Sequence, residues 1–260
     1  MSELILSERD GDVVTITLNN PEKRNALPLA AWSRLTYVIA PLALDETVRC
    51  IVIRGAGDRA FAAGADISEF PDVRANAKQA AKYTEATSMA LNTLSHCPHP
   101  TVAMIQGACT GGGLEIASCC DIRVANTSAR FGVPISRIGH PFAYPELEAV
   151  LRIAGRAAIL DLLLTGRIIN AEEALRMGLV SQVFDDDAFT AEVEKLVAAI
   201  ANAAPLSNRY TKKFVNRLTT NPAPLTAEEI AESYTPCDSE DYAEGFRAFL
   251  AKEKPVFNGR

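Results

Sequence analysis

Val14, Ile16 and Leu18 alternate with Thr15 and Thr17, and Asp10-Gly11 supplies a turn after Leu4-Ile5-Leu6. Residues 4–18 therefore predict a β-hairpin. Further along, the apolar period shifts between strand-like runs and helical spacing. Pro28 to Leu44 reads as a helix broken or restarted at Pro41. Cys50 to Ile53 is a short, continuous apolar run, as expected of a buried strand. Ile67 to Phe70 predicts a short helical piece ended by Pro71. Residues 71–82 mix charge, alanine and asparagine and suit a mobile lid or connection, and Thr84 to Ser95 is helical by the spacing of Met89, Leu91 and Leu94. A strand over Thr101–Ile105, a helix over Gly112–Cys120, a strand over Ile122–Ala125 and a short strand at Arg130-Phe131 follow. Residues 132–146 form a loop rich in proline and glycine. Helices are expected over Glu146–Ala154, Ala157–Thr165 and Ala171–Met177, and a last strand over Val180–Phe184. Beyond Ala188 every pattern is helical: Phe189–Ala203, Leu206–Leu218, Thr226–Tyr234 and Ser239–Lys252.

Strands alternating with helices, then helices alone, predict an α/β core over residues 1–187 and a helical region over 188–260. The pattern by itself is also compatible with a doubly wound parallel sheet.

Two segments within the α/β part carry candidate chemistry. In the first, the apolar run Thr101–Ile105 leads into Gly107-Ala108-Cys109-Thr110-Gly111-Gly112-Gly113-Leu114-Glu115. A strand, a glycine turn and a helix start gather free backbone N–H groups at one point, and a carboxylate sits in the first helical turn. Such an arrangement suits stabilisation of a developing oxyanion while a nearby acid/base moves a proton. In the second, Cys50–Ile53 leads into Gly55 to Ile67, where Ala62, Ala63, Gly64 and Ala65 let a ligand lie against the backbone. The plainer alternatives are a flexible turn with a solvated glutamate and a small-residue loop packed under a helix.

Taken together, the two segments resemble signatures of the enoyl-CoA hydratase/isomerase (crotonase) family, and three more follow in order. Asn20-Pro21-Glu22-Lys23-Arg24-Asn25-Ala26-Leu27 is similar to its first signature, and Ala62–Ile67 to its second. Gly111–Glu115 with Cys120-Asp121-Ile122-Arg123 is similar to its third, and Leu164–Arg167 with Ala171–Ala174 and Gly178-Leu179-Val180 to its fourth. Glu240 to Leu250 and Pro255-Val256-Phe257 are similar to its last helix and tail.

The resemblance implies a spiral of ββα turns, with C-terminal helices that drive formation of a trimer or a hexamer of two trimers. It implies a coenzyme A thioester as substrate, coenzyme A being part of that substrate and no cofactor being tightly bound. By motif position, the N–H groups of Ala63 and Gly112 form the oxyanion hole and Glu115 is the acid/base. Lys23 and Arg24 face the coenzyme A phosphates, with Lys252 and Lys254 adding charge at the nucleotide end, and Ala26 lies along the pantetheine arm. Ala63, Gly64, Ala65, Asp66, Ile67 and Gly112 line the acyl site together with Ile135 and Tyr144. Asp66 reads more readily as a helix-start residue than as a catalyst.

The chain departs from the hydratase pattern at Ile135, which follows Pro134 where the family's second glutamate stands. An isoleucine can neither give nor take a proton, so crotonyl-CoA hydration should be slow unless another group makes the second transfer. His140, Tyr144 and Glu146, in a loop that replaces the family's glycine-rich one, are the candidates. Hydration or dehydration of an enoyl-CoA is the leading expectation. Hydratase-lyase, isomerase, hydrolase and decarboxylase chemistry are alternatives, because one oxyanion hole serves all of them. A catalytically weakened acyl-CoA- or RNA-binding protein is the reading from another class.

Composition narrows these choices. A net charge of −6 and an isoelectric point near 5.2 argue against a broad nucleic-acid footprint, which needs a basic face. No run of about 18 apolar residues is present, so no transmembrane helix is expected. Met1 to Leu4 carries no basic stretch before an apolar core, as a secretory signal would, and a cytoplasmic location is expected. The six cysteines lack CxxC spacing and read as buried free thiols, and the three histidines lack metal-binding spacing.

Overall fold

The computed structural model describes residues 3–260. Its strands fall into two sheets. One holds six strands in the order β1 (Ile5–Asp10), β2 (Val13–Leu18), β3 (Cys50–Gly55), β5 (Thr101–Ile105), β7 (Ile122–Asn126) and β10 (Gln182–Phe184). The other holds four short strands in the order β4 (Ala60–Ala62), β6 (Ala108–Thr110), β8 (Arg130–Gly132) and β9 (Ile168–Asn170). Only the β1–β2 hairpin and the β8–β9 pair are antiparallel. The chain therefore winds: β3 then β4, β5 then β6, β7 then β8. Each turn adds one strand to each sheet, and helices α3 (Ala77–Ser95), α4 (Gly112–Cys119) and α5 (Tyr144–Thr165) close successive turns. The doubly wound alternative has a single sheet and is excluded; the spiral of ββα turns is the observed fold.

Burial explains why the central strands read as continuous apolar runs. Side chains alternate across a sheet, and both faces of the larger sheet are covered. Ile51 and Ile53 of β3 join the main core with Trp32 and Leu35 of α1 (Leu29–Leu42), Leu94 of α3 and Leu114 of α4. Cys50 and Val52 of the same strand face the opposite way, into a second cluster with Val102, Met104 and Val124. Phe189, Val193 and Val197 of α7 (Phe189–Ala201) complete it. Thus the first helix of the C-terminal region is packed on the core sheet. Helices α8 (Pro205–Thr220), α9 (Ala227–Glu232) and α10 (Glu240–Ala251) follow, and Val215, Leu218, Phe246, Phe249 and Leu250 remain exposed on them.

Several boundaries differ from expectation for identifiable reasons. Pro71 lies in the first turn of a one-turn helix, α2 (Phe70–Val73), where its missing N–H costs nothing, so it does not end the preceding piece. The helix expected from Thr84 begins at Ala77, capped by Asn76, whose Oδ1 accepts the Gln79 N–H at 3.1 Å. Residues 77–82 are therefore helix rather than a lid. Gly155, at φ 71° and ψ 172°, kinks α5 where the sequence shows a gap between two helices. Strands β4, β6 and β9 have three residues each, too few for a period to register. Five cysteines are buried, Cys237 is exposed, and all are free thiols.

Asn25 ties the first signature to β4. It is buried with φ 56°, a region asparagine tolerates better than most residues. Its Nδ2 donates to the Ala60 carbonyl at 2.7 Å and to the Ala56 carbonyl at 3.0 Å, and its Oδ1 accepts the Asn20 N–H at 3.1 Å. Asn25→Ala leaves the Ala60 carbonyl buried without this donor and strains the left-handed backbone. A loss of about 1–3 kcal/mol is expected, seen as a lower urea midpoint at unchanged slope.

Candidate functional site

Two backbone segments, one from each of two successive turns of the spiral, meet at the site. Gly64 has φ 101° and Gly111 has φ 49°, both in the region that disfavours side chains. Close approach accounts for the other two glycines. A Cβ on Gly112 would sit 2.8 Å from Cζ2 of Trp32, and one on Gly113 would sit 2.3 Å from the Ala62 carbonyl oxygen. The glycine run thus lets the start of α4 press against residues 62–65.

This approach decides which N–H groups are available. The Leu27 N–H donates to the Gly64 carbonyl at 2.8 Å, and the Asp66 N–H donates to the Leu27 carbonyl at 2.9 Å. That parallel bridge turns the intervening Ala65 N–H away from Leu27 and toward α4. The ideal Cβ position of Gly112 is 3.6 Å from the Ala65 nitrogen. Gly112 is the first residue of α4, where an N–H has no intrahelical partner. Among the described residues neither the Ala65 nor the Gly112 N–H has an acceptor. The Ala63 N–H, expected to be one of the two donors, is instead spent on the Arg24 carbonyl at 3.0 Å. The free donors at this point are those of Ala65 and Gly112, and the Ala63 assignment is corrected accordingly.

These donors border a cavity of about 300 Å³ lined by Trp32, Ala63, Gly64, Ala65, Ile67, Phe70, Arg74, Tyr83, Gly112, Glu115, Ile135, His140, Phe142 and Glu146, among others. Glu115 projects into it from the first turn of α4. It is 4% exposed, and no donor among the described residues reaches its carboxyl. Burial holds that carboxyl well above the usual glutamate range. Glu146 pushes it the same way by charge repulsion, and the opposing pull of Arg74 is the smaller effect. The favourable field of the helix N-terminus does not offset the loss of water.

Facing Glu115 is a cluster that sequence reading found only in part. Arg74 follows α2, in the segment expected to be a lid, and its side chain is buried. Its guanidinium lies over the rings of Phe70 and Tyr83, 5.4 and 4.9 Å from their centroids. Its Nη2 donates to Nε2 of His140 at 2.5 Å and to Oε1 of Glu146 at 3.2 Å. His140 is therefore the acceptor in a neutral ring, consistent with burial and Arg74 holding it below the usual histidine range. Glu146 stands in the first turn of α5, where its Oε2 accepts the Ala143 N–H at 2.6 Å. Nothing in the polar stretch around Arg74 marks it, since a buried arginine is defined by partners distant in sequence.

Not every expected residue is brought to the cavity. Ile135 lines it, as an apolar wall. Tyr144 is 91% exposed and points away from it, which removes it both as a lining residue and as a proton donor. Lys23 donates to Asp66 at 2.6 Å and to Ser68 Oγ at 3.0 Å. Asp66 caps the turn that follows it by accepting the Ser68 N–H at 3.1 Å, as a helix-start residue would. Arg24 and Ala26 lie on the adjoining loop but do not line the cavity. Two larger grooves of about 640 Å³ each lie between α8 and the body of the protein, lacking both Glu115 and the glycine run. Among the described residues no cluster of histidine, cysteine and carboxylate side chains could hold a metal ion, and no helix is long and apolar enough to cross a membrane.

Known proteins resemble the chain over nearly its full length. The sequence profile of the enoyl-CoA hydratase/isomerase family matches residues 8–260. The (E)-benzylidenesuccinyl-CoA hydratase of Thauera aromatica is 35% identical over 261 residues, covering 97% of this chain and 98% of that protein. The short-chain-enoyl-CoA hydratase of Clostridium acetobutylicum is 31% identical, covering 96% and 95%. Among solved structures, an enoyl-CoA hydratase/carnithine racemase from Magnetospirillum magneticum superposes with a TM-score of 0.98 at 46% identity, covering 100% of this chain and 97% of that one. The spiral fold, the paired backbone donors beside Glu115 and these full-length likenesses make the chain a member of the enoyl-CoA hydratase/isomerase family.

Proposed function

We propose that the protein binds an acyl-CoA thioester in the 300 Å³ cavity and catalyses hydration or dehydration at the α and β carbons of a short enoyl-CoA. The observation that carries this reading is the pair of unspent N–H groups, Ala65 and Gly112, beside a buried glutamate. The thioester oxygen accepts both hydrogen bonds. As an enolate forms, charge grows on that oxygen, and donors already fixed in place stabilise it without reorganising. Each such donor is typically worth about 3 kcal/mol of barrier. Burial and the neighbouring Glu146 favour the protonated form of Glu115, which delivers its proton to the α carbon; in the reverse direction its carboxylate removes that proton. A hydratase among the relatives supports the reaction class. The 1,2-epoxyphenylacetyl-CoA isomerase of Escherichia coli, 31% identical, supports isomerisation as the second reading.

The coenzyme A moiety is the substrate's own, and no separate cofactor enters this scheme. Lys23 and Arg24 reach its phosphates from the loop beside Asp66, although the Lys23 ammonium is already shared with Asp66. The exposed apolar residues of the C-terminal helices, with Phe249 at 82%, support assembly into trimers or pairs of trimers in the cytoplasm. Sedimentation at micromolar concentration should give no dominant species near 28 kDa. A clean monomer would contradict assembly and leave the chemistry untouched.

Glu115→Gln should lower turnover of the best enoyl-CoA by about 10²–10⁴-fold while thioester affinity changes little. Steady-state rates and calorimetry with acetoacetyl-CoA separate the two. Activity within a few-fold of the unmodified protein would make Glu115 structural. The same substitution tests the proton state of Glu115. A carboxyl raised in the folded state binds a proton that the unfolded chain has released, so it destabilises the fold as pH rises from the ordinary glutamate range toward its folded value. Glutamine carries no such penalty. The melting temperature of Glu115→Gln relative to the unmodified protein should therefore rise between pH 4.5 and pH 8.5, and a flat difference would contradict the assignment.

A further inference from the structure

The cavity carries a second carboxyl group that the Ile135 position does not supply. We infer that Glu146, held in place by Arg74 and the Ala143 N–H, is the second catalytic carboxylate of this enzyme and the base that activates water. This rests on the proposed acyl-CoA reaction and names the missing half of it.

Geometry carries the argument. Glu115 comes from α4 and Glu146 from the start of α5, helices that pack on one another, and both carboxyls face the same cavity. Their surroundings are opposite in kind. Among the described residues Glu115 has no hydrogen-bond donor, whereas Glu146 has one on each oxygen: Arg74 Nη2 on Oε1 and the Ala143 N–H on Oε2. Both contacts fix the orientation of the Glu146 carboxyl in the cavity wall. A site with two carboxyls in contrasting environments divides acid from base. The pair here is unequal: a buried Glu115 whose protonated form is favoured, and a Glu146 held by a guanidinium and a backbone N–H. Each Glu146 oxygen keeps a second lone pair for water.

Capping α5 explains the Ala143 contact alone. It does not require a buried arginine, seated against the edge-to-face pair of Phe70 and Tyr83 and shared with His140, to be aimed at the same carboxylate. Arg74 and His140 are positioning residues in this scheme, and the neutral His140 ring keeps the guanidinium turned toward Glu146.

The step balances within the residues present. A water O–H bond breaks and its proton passes to a Glu146 oxygen. The hydroxide oxygen bonds to the β carbon, and the π pair of the alkene moves to form the enolate, whose oxygen sits between the Ala65 and Gly112 N–H groups. The Glu115 O–H bond then breaks, its proton bonds to the α carbon, and the thioester carbonyl re-forms. Glu146 is left protonated and Glu115 ionised; a proton passing from the first to the second, directly or through the next water, restores the start.

The test separates the two carboxyls by reactions that need one or both. Exchange of the α protons of butyryl-CoA in D₂O needs Glu115 and the oxyanion donors only, whereas hydration of crotonyl-CoA needs Glu146 as well. Glu146→Gln keeps an acceptor for the Ala143 N–H. It should lose about 10²–10⁴-fold in hydration, while thioester affinity stays within a few-fold and exchange is not lost, since removing the Glu146 charge favours the Glu115 carboxylate that exchange needs. Glu146→Asp should recover part of the hydration rate, because a carboxylate is restored. Glu115→Gln should lose both reactions. Hydration by Glu146→Gln near the unmodified rate, equal hydration by the Gln and Asp variants, or parallel loss of exchange in Glu146→Gln would each overturn the inference. So would exchange without crotonyl-CoA hydration in the unmodified protein, which leaves the enolate step standing. An unmodified protein that neither binds thioesters nor exchanges protons would instead overturn the proposed function itself.

Discussion

The site depends on one close approach: the first turn of α4 lies against the 62–65 segment, with Ala62 leaving no room for a side chain on Gly113 and Trp32 none for one on Gly112. Without that contact the Ala65 and Gly112 N–H groups would not share a target. With it, two backbone donors from different turns of the spiral are fixed before any ligand arrives. Donors held this way stabilise charge well because the folded chain has already ordered them. The Leu27 bridge completes the device from a third direction, by taking the neighbouring hydrogen bonds and leaving the Ala65 N–H free.

The larger sheet and its helices make such precision affordable. Main-core residues on one face of β3 and the α7 cluster on the other lock the strands that lead into both segments. Asn25 then connects the first signature loop to β4, while the Arg24 carbonyl takes the Ala63 N–H. Several of the residues shared with the family thus act by allocating backbone hydrogen bonds rather than by meeting substrate. That division leaves the side chains lining the cavity free to vary among the reactions that one fold can support.

In this chain those side chains are Ile135 and the cluster of Arg74, His140 and Glu146. Ile135 contributes an apolar surface to the cavity, and Glu146 contributes a carboxyl to the same cavity that Glu115 lines. Burial raises Glu115, and charge repulsion from Glu146 adds to it.

The hairpin, the apolar strands and most helices were legible in the sequence because each depends on residues within one or two turns of the chain. The glycine run with Glu115 was legible for the same reason: strand, turn and helix start are adjacent, and the run coincides with the contact that demands it. Strands of three residues left no period to read, and the helix from Ala77 was hidden by its polar first turns. The free backbone donor lies two residues beyond the one expected, because which N–H is free depends on Leu27 and Arg24, some 40 positions away. Tyr144 and Glu146 differ by two positions at one helix start, yet only Glu146 reaches the cavity, since two residues along a helix turn a side chain by more than half a circle. Local order followed from the sequence of apolar and glycine positions. The partners of each buried polar group were decided only when the spiral brought distant segments together, because hydrogen bonds and charges are satisfied in space and not along the chain.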